Sequence, residues 1–184
     1  MDRTQVGRAG ELALALYALV SSDGELELFT PVSDDDHVDV TAGRRGGIPA
    51  LAIQVKTTPR LDSNGMVEAN AFFDHGRVRE HPAFLYAILL MRSVAIEAAW
   101  IVPSPDFNRL AYRIVRDERD ALEFRAYPDR ADRWAPYRVD PLKIGPHLLS
   151  VIDSLEQRIP SDFLTAVGGV VIASRISGPV GRLR

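Results

Sequence analysis

The sequence predicts an α/β domain in which a central mixed β-sheet is flanked by helices. Three observations predict it. Residues 4–20 repeat apolar side chains at helical spacing. Several short runs between residues 25 and 127 alternate like strands or are continuously apolar. A second helical pattern covers residues 145–157. Helices bracketing strands bury their apolar faces as layers around one core. The chain has 184 residues, of which 46% are hydrophobic, enough for a single domain with a true core. We expect that domain over residues 1–160. Residues 161–184 are then a tail: an arm against a second subunit, a final strand or a frayed end.

The elements follow in order. In the first helix Leu12, Leu16 and Leu19 make the apolar stripe, alanines fill the gaps and Thr4 is the expected cap. Residues 25–32, ELELFTPV, alternate as a strand. Residues 36–58, DHVDVTAGRRGGIPALAIQVKTT, read as two strands joined by a Gly/Arg-rich turn. Residues 60–70 carry turn signals and predict a loop or short ribbon; 72–80 are read as a short helix. Residues 84–91 and 97–102 are two buried strands with a tight connection. Ser104-Pro105-Asp106 opens a helix with Pro in its first turn. Residues 121–127 form a strand that Pro128 ends, and 129–136 form a polar loop. In the last helix Leu148, Leu149, Ile152 and Leu155 share one side.

Bulk properties exclude several functions. The net charge of −3 and a pI near 5.8 do not suit a protein that coats nucleic acid by charge alone. No cysteine is present, so disulfides and zinc–thiolate centres are excluded, and a cytoplasmic setting is compatible. The opening residues MDRTQVGRAGE do not read as a signal peptide. The apolar stretch 163–173 is too short to cross a bilayer, and no membrane partner is expected. No Walker loop, dinucleotide loop or G-x-S-x-G elbow occurs.

Chemistry concentrates in the paired strands. Side chains alternate along a strand. Leu51, Ile53 and Val55 therefore share one face, and Ala52, Gln54 and Lys56 the other. Val38 and Val40 are expected together, opposite His37, Asp39 and Thr41. With Asp39 opposite Gln54, the apolar sets coincide. A carboxylate, an amide and an ammonium then gather on the other side. Such a group can hold a divalent metal and polarise a water, the chemistry of phosphodiester hydrolysis. The run Asp34-Asp35-Asp36 lacks EF-hand spacing and reads as a solvated turn, with Asp36 able to serve as an outer ligand. His37, His75, His81 and His147 show no zinc spacing. Arg44, Arg45, Arg60, Arg77 and Arg79 are candidates for phosphate contact or ordinary surface arginines.

These residues resemble the PD-(D/E)xK nuclease superfamily, which has the restriction-endonuclease-like fold. Three pieces carry the resemblance: Gly7-Arg8-Ala9-Gly10-Glu11 at the first helix, Asp39 in His37-Val38-Asp39-Val40, and Ile53-Gln54-Val55-Lys56. Asp39 and Gln54 stand fifteen positions apart, a spacing typical of that family's hairpin. The resemblance covers roughly the first hundred residues. It implies a metal-dependent DNA nuclease using Mg²⁺ or Mn²⁺. Asp39, Gln54 and Glu11 would be side-chain ligands, the Val55 carbonyl a further ligand, and Lys56 would support the attacking water. It also implies DNA as partner and, together with the apolar tail from Phe163, a homodimer; a toxin or defence component acting on RNA is a third possibility. Most members carry Asp or Glu where Gln54 stands; the Mrr-like branch has Gln. An amide oxygen ligates Mg²⁺ without contributing charge. Non-cleaving members also occur, which makes a catalytically inactive nucleic-acid-binding or interaction module the alternative reading.

Overall fold

The computed structural model describes residues 2–31, 37–74, 78–116 and 119–157. The acidic run 34–36, Arg77, His75 and the tail from 158 lie outside them. A six-stranded mixed sheet forms the centre, in the order β1 (Leu26–Phe29), β2 (Val40–Arg44), β3 (Leu51–Thr58), β5 (Phe84–Arg92), β6 (Ala95–Pro103) and β9 (Arg138–Val139). All neighbours are antiparallel except β3 and β5. A second, three-stranded sheet has the order β4 (Val67–Asp74), β8 (Arg119–Ala126) and β7 (Tyr112–Arg116). The expected α/β class with a mixed sheet and flanking helices is observed.

Helices flank both faces, but the later helices divide between them. Helices α1 (Arg3–Ser21) and α3 (Ile144–Glu156) pack on the same face, where Leu14, Ala18, Ile144, Leu148 and Ile152 meet Ile53, Val55, Leu85 and Leu89. The opposite face is covered by the small sheet and the short α2 (Ser104–Leu110), through Phe73, Leu122, Phe124 and Phe107 against Tyr86, Ile88 and Trp100. Strand β5 thus has both faces covered, which explains its unbroken apolar run. Of the helix expected at 72–80, residues 72–74 are instead the end of β4, whose Ala71 and Phe73 alternate into that second core, and 75–77 lie outside the described residues. Strand β7 was not foreseen, because YRIVR alternates without a buried face of its own.

The first helix buries a different stripe from the one its leucines suggest. Its cap is Asp2, not Thr4. Asp2 and Gln5 form a reciprocal capping box, with the Gln5 amide donating to Asp2 Oδ1 at 2.8 Å. Leu12, Leu16 and Leu19 are exposed, at 60%, 59% and 40%. The buried positions are Gly10, Ala13, Leu14 and Ala18. Small residues let the helix approach its neighbours closely: a Cβ on Gly10 would fall 1.8 Å from Thr57 Oγ1. Accordingly, Leu16→Lys should shift stability by no more than about 0.5 kcal/mol. Leu14→Ala should cost about 2–5 kcal/mol. Paired urea melts check this contrast.

Candidate functional site

Strand β2 begins at Val40, and its register pairs Val40 with Ile53 and Thr41 with Ala52. That register ends at Val40, so the expected pairing of Asp39 with Gln54 is not part of the ladder. The two valines flanking Asp39 part company, however. Val40 joins the core beneath α1, whereas Val38 packs on the second core, beside the small sheet. The regular ladder therefore stops before Asp39. Asp39 takes over the pairing with its own atoms. Its amide donates to the Ile53 carbonyl at 3.0 Å, and its Oδ2 accepts from the Val55 amide at 2.6 Å. The aspartate brackets Gln54 from both sides. His37, with a positive φ of 54°, stands at the entry to this segment. Its ring meets Phe73 edge-on at 5.3 Å, which gives it a packing role on the second core.

The Asp39 carboxylate thus lies at the head of β2, held against the β3 backbone. A strand residue turns its N–H and C=O toward the same neighbour. The Val55 carbonyl accordingly faces the Asp39 side as well. Gln54 is 2% exposed, and its Oε1 is buried with no hydrogen-bond partner. A buried, unpaired amide oxygen costs about 1–3 kcal/mol unless something ligates it. Lys56, two residues on, belongs to the same face as Gln54 by alternation and is half-buried. Beside Gln54 in register on β5 is Tyr86. Its hydroxyl is also buried and unpartnered, and burial raises its pKa, against a smaller lowering from Arg79. The Tyr86 ring stacks on Phe107 at 3.9 Å between centroids.

Glu11 stands differently. Helix α1 covers the other face of the sheet, and the Glu11 carboxylate is 2.5 Å from Arg8 Nη1. Its link to the site is the backbone: Gly10 rests on Thr57, the neighbour of Lys56, whose Oγ1 is buried and unpartnered. Gly7, by contrast, has no neighbour within 4 Å of an added Cβ. Among the described residues, no three His, Asp or Glu side chains gather to hold a metal ion. Asp39, the Gln54 amide oxygen and the Val55 carbonyl are hard oxygen donors that belong to one hairpin. Such a set, completed by waters, fits Mg²⁺ or Mn²⁺.

The expected phosphate-contacting arginines divide. Arg44 is committed to Asp153, with Glu25 beyond, and that pairing raises its pKa. Arg45 and Arg60 are exposed. Arg79 lies on the site's own side of the sheet, its guanidinium 5.3 Å from the centre of the Phe84 ring. Arg79 and His81 line a cleft with Thr41, Ala52 and Phe84. His81 was passed over in the sequence because it has no motif. The neighbouring Pro82 and the Ser104-Pro105 helix start gave no sign that the two segments meet.

No family model matches the chain, and no curated protein matches it. Among solved structures, the fold is similar to that of a bacterial homing endonuclease. The TM-score is 0.54 at 18% sequence identity, covering 85% of this chain and 96% of that one. What the likeness shows is a shared fold. Among the described residues, no helix is long and apolar enough to cross a membrane.

Proposed function

We propose that the protein is a metal-dependent nuclease of the PD-(D/E)xK type that hydrolyses DNA phosphodiester bonds. One observation carries this reading: the orphaned, buried Gln54 Oε1 is bracketed by Asp39 on the two strands that the resemblance singles out. The similarity of fold to a homing endonuclease supports it. Asp39, Gln54 and the Val55 carbonyl hold Mg²⁺ or Mn²⁺. The metal supplies a polarised phosphoryl oxygen and an acidified water. Lys56 orients the attacking water and offsets the charge that develops on the phosphate. Asp39 stays in place because the Val55 amide fixes one of its oxygens. Glu11 acts in the outer shell, across the Gly10–Thr57 contact, once released from Arg8. Two such chains, each addressing one strand, form the working homodimer.

The engagement of Glu11 by Arg8 favours a second reading, in which the fold binds nucleic acid without turnover. Incubation of the purified chain with supercoiled plasmid separates them. Nicked or linear product should accumulate with Mg²⁺ or Mn²⁺ and be absent with EDTA. Parallel labelled RNA tests the alternative substrate. Plasmid and RNA both left intact at every metal concentration, with binding retained, would establish the non-cleaving module.

A further inference from the structure

We infer that the cleft beside the Gln54 row is a nucleotide subsite, in which His81 and Arg79 hold the phosphate next to the scissile one. The inference rests on the nuclease reading for the word scissile, but its geometry stands by itself. The cleft has a volume of about 470 Å³, within the range of ligand sites. Its floor is Ala52 of β3 and Phe84 of β5, which are neighbours in register. Gln54 and Tyr86 are the next pair along the same two strands. Two residues of strand advance about 7 Å, roughly the spacing between successive phosphates on an extended strand. A metal ligated by the buried Gln54 oxygen would therefore stand about one phosphate spacing from this floor.

The wall of the cleft is built with more care than a solvent loop requires. The Asn108 side chain donates to the Arg79 carbonyl at 2.7 Å. The His81 amide donates to Ser104 Oγ at 2.8 Å, and the Ser104 hydroxyl donates back to the His81 carbonyl at 2.9 Å. Ser104 is fully buried. The Phe84 amide also donates to the His81 carbonyl, and the Ala52 amide to the Ala83 carbonyl, both at 2.9 Å. Residues 79–84 are thereby fastened to α2 and to β3 at once.

This fastening fixes the chemistry of His81. Its Nδ1 accepts from the Ala83 amide at 3.1 Å, so the neutral ring carries its proton on Nε2. The side chain is exposed, and Nε2 has no hydrogen bond among the described residues. A directed N–H donor is held at the lip of an apolar floor. Arg79 lies at the boundary between the two, over the Phe84 ring. Glu80 is also on the rim and exposed, which cancels the charge of Arg79 when His81 is neutral. Recognition then depends on directed donors and on contact with an aromatic ring rather than on bulk field. That combination fits a nucleotide: sugar or base against Phe84 and Ala52, phosphate oxygens on His81 and Arg79.

Histidine side-chain NMR on the full chain tests this without divalent metal. The chain has four histidines, and His81→Ala assigns the relevant ring. Thymidine 5′-monophosphate should shift the His81 resonances saturably. Thymidine alone and inorganic phosphate alone should each bind at least about tenfold more weakly. By isothermal titration calorimetry, His81→Ala and Arg79→Gln should each weaken the mononucleotide about tenfold, the effect of losing one charge-assisted hydrogen bond. Lys143→Ala, which removes an exposed cation outside the cleft, should leave it within about twofold. No shift with the mononucleotide overturns the inference. So does inorganic phosphate binding equally well, which would make the cleft a plain anion site, or unchanged affinity in both cleft variants. None of these readouts involves turnover. A chain that binds the mononucleotide yet never cuts plasmid sinks the nuclease reading and leaves the subsite standing.

Discussion

Asp39→Asn and Lys56→Ala should each lower Mg²⁺-dependent DNA cleavage by at least about 10²–10³-fold while leaving the fold intact. The asparagine keeps a side-chain oxygen able to accept the Val55 amide, so the bond that closes the end of the β2–β3 ladder survives. What it loses is the fixed negative charge, and neither Gln54 nor the Val55 carbonyl can replace it. Lys56 is half-buried and makes no ion pair among the described residues. Its removal should therefore cost rate rather than stability. Circular dichroism and a thermal melt alongside the plasmid assay separate the two effects. A third variant makes the metal itself visible. Gln54→Glu places a carboxylate where an unpartnered amide oxygen is 2% exposed. An uncompensated buried charge is destabilising, so its melting temperature in EDTA should fall below that of the wild type. Mn²⁺ or Mg²⁺ should restore it, because a ligand that binds only the folded state stabilises by mass action. A Gln54→Glu melt insensitive to both metals would count against a cation at this position.

Gly145→Ala should destabilise the chain by about 1–2 kcal/mol, against the direction that helix propensity alone gives. Position 145 lies in α3, where Gly→Ala by itself favours the helix by about 1 kcal/mol. The added methyl, however, would fall 2.5 Å from the Ala18 carbonyl oxygen and 2.5 Å from the Ser22 nitrogen. Both are backbone atoms of the end of α1 and cannot rotate away. The same junction holds a hydrogen bond of 2.8 Å from the Gly145 amide to Ser21 Oγ. To admit the methyl, α1 and α3 must separate, and Leu14, Ala18, Leu148 and Ile152 lose contact together. Overpacking of this kind costs about 1–3 kcal/mol, occasionally more. Urea unfolding of the two proteins decides the matter. An alanine variant as stable as the wild type would mean that the two helices do not meet at this glycine.

The core pairing of β2 with β3 was legible because strand alternation is a property of the covalent chain. Leu51 and Ile53 had to share a face, and Ala42 and Val40 pair against them. The last helix was legible for the same reason: Leu148 and Ile152 repeat at helical spacing and are buried. Where two stripes competed on α1, hydrophobicity chose the wrong one. Leu12, Leu16 and Leu19 are the more apolar set, yet Gly10, Ala13 and Ala18 are the set against which a sheet and a second helix can come close. The parting of Val38 from Val40 was equally invisible, since a break in alternation at one residue leaves no mark in composition.

The sequence by itself determined the period of each long element, and hence the α/β class and the hairpin carrying Asp39, Gln54 and Lys56. Those features depend on bonds and torsions local to the segment. Only the tertiary structure decided that both long helices share one face, that a second sheet covers the other, and that residues 79–84 wall a cleft beside Gln54. These outcomes depend on contacts between segments far apart in the chain. There, how closely two backbones can approach outweighs how apolar either one is.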